Sequence, residues 1–426
     1  MPWALAVAAP GLFLGGLDSP LGQAFAGVMT AIALASLLLV APPPLEFWRT
    51  YGLPLGLFAL ALAWLLMVGA VRYGLMSSLS GLPVAPDLFV PKCLSTLAGF
   101  WALLIGLLSS RLAKWRLLHA DWLLLLLTLH ATAGLTRLVL VELEMSQQWQ
   151  VLQGGRFAGL IGNANVTACA SSVGCILAWS SLLPALDVRR RPGSHAGKVP
   201  WWLILPGGAL AMNGIALILT ASRLPFLLTV VALGWLAVIH WRAQRARLRR
   251  FMPGLALAGL VMLVVQTQLA AGLVDRIDMF SQDLGLRWQM WGHFSDIVPG
   301  AFWTGYGPGS FSSLNVYMMN RDMGSFALWR VNSPHNLILQ LMLVGGLPYL
   351  LLMVAGAAGP VRDIVRSLRW KEGDVRFAAL VFGAASLLLS ASIDIALDMP
   401  VGAILLGLLT GLAWGYATGG PRIGAG

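Results

Sequence analysis

The residues best able to do chemistry in this chain are a histidine, a few arginines and two aspartates. His335 follows Pro334 in Ser-Pro-His-Asn-Leu-Ile-Leu-Gln, at the head of a long apolar run. A helix start offers free N–H groups and a positive dipole end. A neutral imidazole there could take a proton from a hydroxyl; the alternative is a helix-capping segment without chemistry. Arg287 sits in Arg-Trp-Gln-Met-Trp, Arg223 in Thr-Ala-Ser-Arg, and Arg137 and Arg156 flank one polar stretch. Guanidinium forks match phosphate oxygens in pairs, so such arginines fit an anion site. The plainer reading is that each snorkels to lipid headgroups or pairs with Asp283, Glu142 or Glu144. Asp394 and Asp398 are spaced i, i+4 at the end of another apolar run. They could hold a metal or a substrate; for Asp398 we prefer a solvated helix end before Pro400.

These residues are set in a chain that is 58% hydrophobic and only 11% charged, against about 25% charged in an average soluble domain. That balance excludes a soluble enzyme, a disordered scaffold and a disulfide-stapled module. Twelve stretches approach the roughly 20 apolar residues a helix needs to span lipid. They fall near 3–17, 21–40, 53–71, 90–108, 117–135, 164–184, 201–220, 224–240, 252–272, 335–357, 377–395 and 400–418. The sequence therefore predicts an all-α integral membrane protein, a single polytopic domain over 1–426. No signal peptide stands apart from the first stretch. Strand alternation is absent, which argues against a β-barrel.

The formal net charge of +11 would suit nucleic acid only if it formed a patch on a polar surface. Alternating the twelve spans places it elsewhere. With the N-terminus inside, the inner loops collect Arg49, the clusters at 111–116, 189–198, 242–250 and 362–376, and Arg422. This is the positive-inside pattern, with both termini cytoplasmic. The charge records insertion, and no nucleic-acid partner is expected.

The few outer basic residues include Arg137, Arg156, Arg223 and Arg287, and the longest outer segment is 273–334, about 60 residues between spans nine and ten. A connection of that length usually carries function. Its aromatics suit a helix over about 284–298 lying near the membrane surface, with Leu284, Trp288, Trp291 and Ser295 on one side. Gly305-Tyr306-Gly307-Pro308-Gly309 reads as a tight turn, since no nucleotide-fold context surrounds it. Cys93, Cys169 and Cys175 form no metal-ligand spacing and read as packing. His293, His119, His195, His240 and His130 take bland readings. Walker, HExxH, GxSxG and dinucleotide motifs are absent from the sequence.

Several of these segments, in order, resemble the O-antigen ligase/polymerase superfamily of polytopic membrane proteins, most nearly its O-antigen ligases. They are Arg156-Phe-Ala-Gly-Leu-Ile-Gly-Asn163-Ala-Asn165, with Ala164 where the family usually has proline; Ser222-Arg223; Arg287 followed by Met290-Trp291; the Gly-Tyr-Gly-Pro-Gly-Ser-Phe turn; and His335-Asn336…Gln340…Gly345-Gly346. The motifs cover roughly residues 150–350, and the topology covers the whole chain.

The resemblance implies a GT-C-type glycosyltransferase of the bacterial inner membrane, with 273–334 as a large, partly helical periplasmic loop. Such enzymes move a glycan from undecaprenyl pyrophosphate to an acceptor, for a ligase a sugar hydroxyl of lipid A–core, with membrane lipids around them. It implies His335 as general base, with Arg287 and Arg223 stabilising the leaving pyrophosphate. It further implies Arg156, Arg137, Asn336, Trp291 and Asp394 as substrate-binding residues. One displacement would invert the anomeric centre. No cofactor, ATP or metal is expected, although Asp394 leaves the metal question open. An O-antigen polymerase or a protein O-oligosaccharide ligase would share these features. A transporter or flippase of lipid-linked sugars is the rival from another class; it should show repeats and broken helices.

Overall fold

The computed structural model describes residues 19–72, 89–111, 116–142, 152–153, 155–188, 201–242, 285, 287–322, 331, 333–370 and 374–419. The spans expected over 3–17 and 252–272 lie outside these residues. The described elements are α1 (Pro20–Val40), α2 (Leu45–Arg72), α3 (Phe89–Arg111), α4 (Arg116–Glu142), the two-residue strands β1 (Leu152–Gln153) and β2 (Arg156–Phe157), α5 (Ala164–Val188), α6 (Trp201–Leu219) and α7 (Arg223–Arg242). A helix over 287–295, α8, then leads through a 3₁₀ turn, Val298–Ala301, to α9 (Phe311–Asp322), α10 (Leu337–Trp370), α11 (Val375–Ala391) and α12 (Pro400–Thr418). Eight of these helices are long and apolar enough to cross a membrane, and α6 and α11 are shorter apolar helices beside them. The chain is an all-α integral membrane protein, and ten of the twelve expected spans are helical where described.

Lipid supplies no hydrophobic drive between apolar helices, so close packing must hold them together. At the centre α12 lies against α3 with almost no side chain between. A Cβ on Gly407 would fall 2.2 Å from the Gly99 carbonyl oxygen, and one on Gly411 2.2 Å from that of Leu103. The glycine spacing of α12 thus brings two backbones into contact. The main core is built around this pair with residues of α1, α2, α5, α7, α10 and α11, and Trp414 is fully buried in it.

The span expected as continuous over 335–357 is instead a broken helix. Gly346 has φ 69° inside α10, and Pro348 follows. Proline has no N–H, so Val344 loses its helical partner. The freed carbonyls are satisfied from outside. Leu343 accepts from the Tyr306 N–H at 2.6 Å and Val344 from the Gly307 N–H at 2.9 Å, while the Leu347 N–H donates to Phe302 O at 2.8 Å. Gly345 O accepts from Trp64 Nε1 at 2.8 Å. The Gly305–Gly309 segment is a tight turn as expected, and it plugs into the break. Arg72 clamps it from α2, donating to Gly305 O at 2.8 Å and Thr304 Oγ1 at 3.1 Å.

The end of α11 also departs from the sequence reading. The helix stops at Ala391, and 392–399 form a turn before α12. Asp394 and Asp398 therefore do not share a helix face. Asp398 is half-buried and bonded to Ser333, not a solvated helix end. The helix expected over 284–298 is present as α8 over 287–295. Met290 and Phe294 pack into a small core with Phe311, Leu314, Leu339 and Leu343, while Trp288 is 68% exposed. Leu284 lies outside the described residues.

A methyl on residue 346 would stand 2.6 Å from the Trp303 carbonyl carbon and oxygen, at a φ that disfavours any side chain. Gly346→Ala should cost about 2–3 kcal/mol, read as a lower melting temperature of the purified protein in detergent. Gly52→Ala, with nothing within 4 Å of the added carbon, should leave melting unchanged or slightly higher.

Candidate active site

The residues of interest meet at one end of the helix bundle. Asn163 caps α5, its Oδ1 accepting from the N–H groups of Asn165 (3.0 Å) and Val166 (3.2 Å). Short polar side chains do this because the first helical N–H groups have no intrahelical partner. The cap fixes Asn165 within the first turn of the helix. Arg156, on β2, donates from Nε to Thr220 O (2.8 Å) and from Nη2 to Asn165 Oδ1 (2.5 Å). Ser222, at the head of α7, donates to the same oxygen at 3.1 Å. With its oxygen doubly engaged, Asn165 presents Nδ2 to Asp394 Oδ2 at 2.7 Å.

Asp394 is where these contacts converge. Its Oδ1 accepts from its neighbour's N–H, Ile395, at 2.7 Å and lies 3.2 Å from His335 Nδ1. Its Oδ2 lies 3.6 Å from Arg287 Nη2. Burial alone would push this carboxyl up, but the His335 hydrogen bond and charge, the Arg287 charge and the Ile395 N–H outweigh it. Asp394 is held below the usual carboxylate range and is a carboxylate near neutrality. In the tautomer that donates from Nδ1 to this carboxylate, Nε2 would keep its lone pair. The pair therefore resembles the oriented base of general acid–base sites. Arg287 also donates to Ile393 O, so the guanidinium is tied to the same turn.

His335 itself sits just before α10, with φ 50°. Asn336 caps that helix, its Oδ1 accepting from the Leu339 N–H at 3.0 Å. Trp291 donates from Nε1 to Pro334 O at 3.0 Å. Both residues expected to bind substrate thus also shape the segment that carries His335. Of the remaining expected residues, Arg223 opens α7 and is exposed beside Ser222, and Arg137 is half-buried near the end of α4. Neither is among the side chains that bond Asp394. The structure brings His335, Arg287, Asp394, Asn165 and Arg156 together.

Sequence reasoning passed over Asn165, Ser222, Ser333 and Lys92 as site residues, and it weighed Asp398 but set it aside as a solvated helix end. Asn165 and Ser222 lay inside quoted motifs. Nothing local marks Lys92, whose Nζ reaches Asp398 O at 3.5 Å from α3. Asp394 and Asp398 turn to different partners, so the two carboxylates do not converge on one point.

Asp394 lies in the turn between helices, and its lowered pKa fixes the sign of a stability change. Its contribution is complete above the ordinary carboxylate value, about 3.9, and is lost as pH falls through the lower folded value. Asp394→Asn should cost about 1–3 kcal/mol at neutral pH. The melting-temperature gap between wild type and variant should narrow as the buffer is taken below pH ~4.

Comparison with known proteins bears on one part of the chain. A search of curated proteins finds no match. The family model described as O-antigen ligase matches residues 208–354. That range takes in Ser222, Arg223, α8 with Arg287, the Gly305–Gly309 turn, His335 and the Gly345–Gly346 break; Arg156, Asn165 and Asp394 lie outside it. On this match, residues 208–354 are similar to the O-antigen ligase family of membrane proteins.

Proposed function

We propose that this chain is an O-antigen ligase. It transfers O-antigen polysaccharide from undecaprenyl pyrophosphate to a sugar hydroxyl of lipid A–core during lipopolysaccharide biosynthesis. The observation that carries the reading is His335 Nδ1 seated 3.2 Å from Asp394 with Arg287 on the other carboxylate oxygen. In this reading the site faces the periplasm, with both termini in the cytoplasm, in the bacterial inner membrane. Residues 273–334 form the periplasmic loop of a single polytopic domain.

The chemistry follows from the groups present. The acceptor hydroxyl approaches His335 Nε2, which takes its proton as the oxygen attacks the anomeric carbon. The bond from that carbon to the pyrophosphate oxygen breaks, and the electron pair leaves with the lipid pyrophosphate. Asp394 stabilises the imidazolium that forms. Arg287 and the exposed Arg223 neutralise charge on the leaving group, an effect worth several kcal/mol where water is excluded. Arg137 reaches the same end of the bundle and serves as a further contact for the donor phosphates. Arg156 acts on the donor side mainly by holding Asn165. One displacement inverts the anomeric centre. The donor is already activated, so ATP is not consumed, and the arginines do the work a divalent cation would otherwise do.

The break in α10 is the observation that a flippase reading would use, because transporters build substrate sites from discontinuous helices. Here the break is filled by the Tyr306–Gly307 backbone and the Trp64 indole. Purified protein in vesicles separates the two readings: a flippase moves the lipid-linked glycan across without making a glycosidic bond.

A strain lacking this chain should carry unsubstituted lipid A–core while long polymer accumulates on undecaprenyl pyrophosphate. Core bearing a single repeat unit would instead identify a polymerase, and intact lipopolysaccharide would contradict both. His335→Ala should lower transfer by about 10²–10⁴ and leave donor binding intact. Arg287→Ala should lower turnover by about 10²–10³ at saturating acceptor. Normal activity in either variant removes that residue from the mechanism.

A further inference from the structure

Among the described residues, only Ala221 and His335 are non-glycine residues with positive φ, each 50°. Both flank the Asp394 network: Ala221 precedes Ser222, and His335 carries the imidazole. A non-glycine side chain in this region costs on the order of 1–3 kcal/mol and persists only where its surroundings enforce it. For His335 the enforcing contacts can be traced. Its main-chain N–H donates to Ser333 Oγ at 3.3 Å, and Ser333 is 1% exposed. The Ser333 hydroxyl in turn donates to Asp398 Oδ2. Asp398 is fixed by its own N–H on Ile395 O at 2.9 Å and by Lys92 Nζ on its carbonyl. The carbonyl just before His335 is held on the other side by Trp291.

We propose that Asp398 is a positioning residue that acts on His335 through Ser333, setting the main chain so that the ring rests on Asp394. The inference rests on the reading of His335 as the base. Two carboxylates of one turn then divide the task. Asp394 fixes the ring and its tautomer, and Asp398 fixes the backbone that carries the ring. The relay runs in one hydrogen-bonding direction, from the His335 N–H to the Ser333 oxygen and from the Ser333 hydroxyl to the Asp398 carboxylate. Burial raises the Asp398 carboxyl against the pull of Lys92, Ser333 and His335, as expected of a group placed for its hydrogen bond and not for contact with water. Lys92 anchors the turn to α3, which ties the relay to the central α3–α12 pair.

The test is kinetic. Full-length protein in detergent is assayed for transfer from an undecaprenyl-pyrophosphate-linked glycan to lipid A–core. Asp398→Ala and Ser333→Ala should each lower kcat by about 10- to 100-fold, the scale set by a misplaced reacting group, with donor KM unchanged. The double variant should be no slower than the worse single variant, because both cut one relay. Asp398→Asn keeps an acceptor for Ser333 and should recover most of the rate. If Asp398→Ala does not fold, Ser333→Ala and Asp398→Asn give the same comparison. Deuterium exchange supplies a readout free of turnover: the peptide containing 333–337 should exchange faster in Ser333→Ala, with peptides of α3 and α12 unchanged. Wild-type kcat in Ser333→Ala, or loss of kcat with a proportional rise in donor KM, overturns the proposal. If His335→Ala is fully active, the reading of the base has failed; if His335→Ala is inactive and Ser333→Ala is not, only the relay has failed.

Discussion

A single half-buried carboxylate organises the candidate site. Asp394 stands where the last turn of α11 has ended, and an isolated charge there would be costly to desolvate. Four groups satisfy it: the Ile395 N–H, Asn165 Nδ2, His335 Nδ1 and the Arg287 guanidinium. They come from four places in the chain: the α11–α12 turn itself, the head of α5, the lead-in to α10, and α8. Partners so far apart in sequence can meet only if the helices that carry them are fixed. The close backbone contact of α3 with α12 and the capped start of α5 are therefore conditions of the site as well as of the fold.

The broken helix α10 belongs to the same constraint. An unbroken α10 would leave its carbonyls to one another and give the 302–310 turn nothing to bond. With Gly346 in a left-handed conformation and Pro348 lacking an N–H, the Leu343 and Val344 carbonyls are free for Tyr306 and Gly307. That docking, with the Arg72 clamp, holds the segment between α8 and α9 against the piece of α10 that begins beside His335. Met290 and Phe294 of α8 pack on Leu339 and Leu343 of that piece. Arg287 and His335 are thus brought to Asp394 by one small apolar core.

How far the sequence foretold this differs by level. Ten spans were legible because a lipid-crossing helix must be apolar over a fixed length. The chemical candidates were legible because histidine and arginine are conspicuous in a chain with only 11% charged residues. What the sequence left hidden was pairing. The Asp394–Asp398 spacing suggested one helix face, but Ala391 ends the helix and the two carboxylates bond different partners. The helix α8 was legible from its aromatics, but the inward packing of Met290 and Phe294 was not. Asn165 and Ser333 lay inside quoted stretches, but their partners Asp394 and Asp398 are far off in sequence, and nothing local marks Lys92.

The central claim is that Asp394 and His335 act as one unit. A double-mutant cycle on the transfer rate tests it most directly, using Asp394→Asn, His335→Gln and the double variant under identical saturating substrate. The account predicts strong non-additivity, with the double variant no slower than His335→Gln alone, because the carboxylate works only through the ring. If the two losses multiply, Asp394 contributes independently of His335, and the account of an oriented base is contradicted.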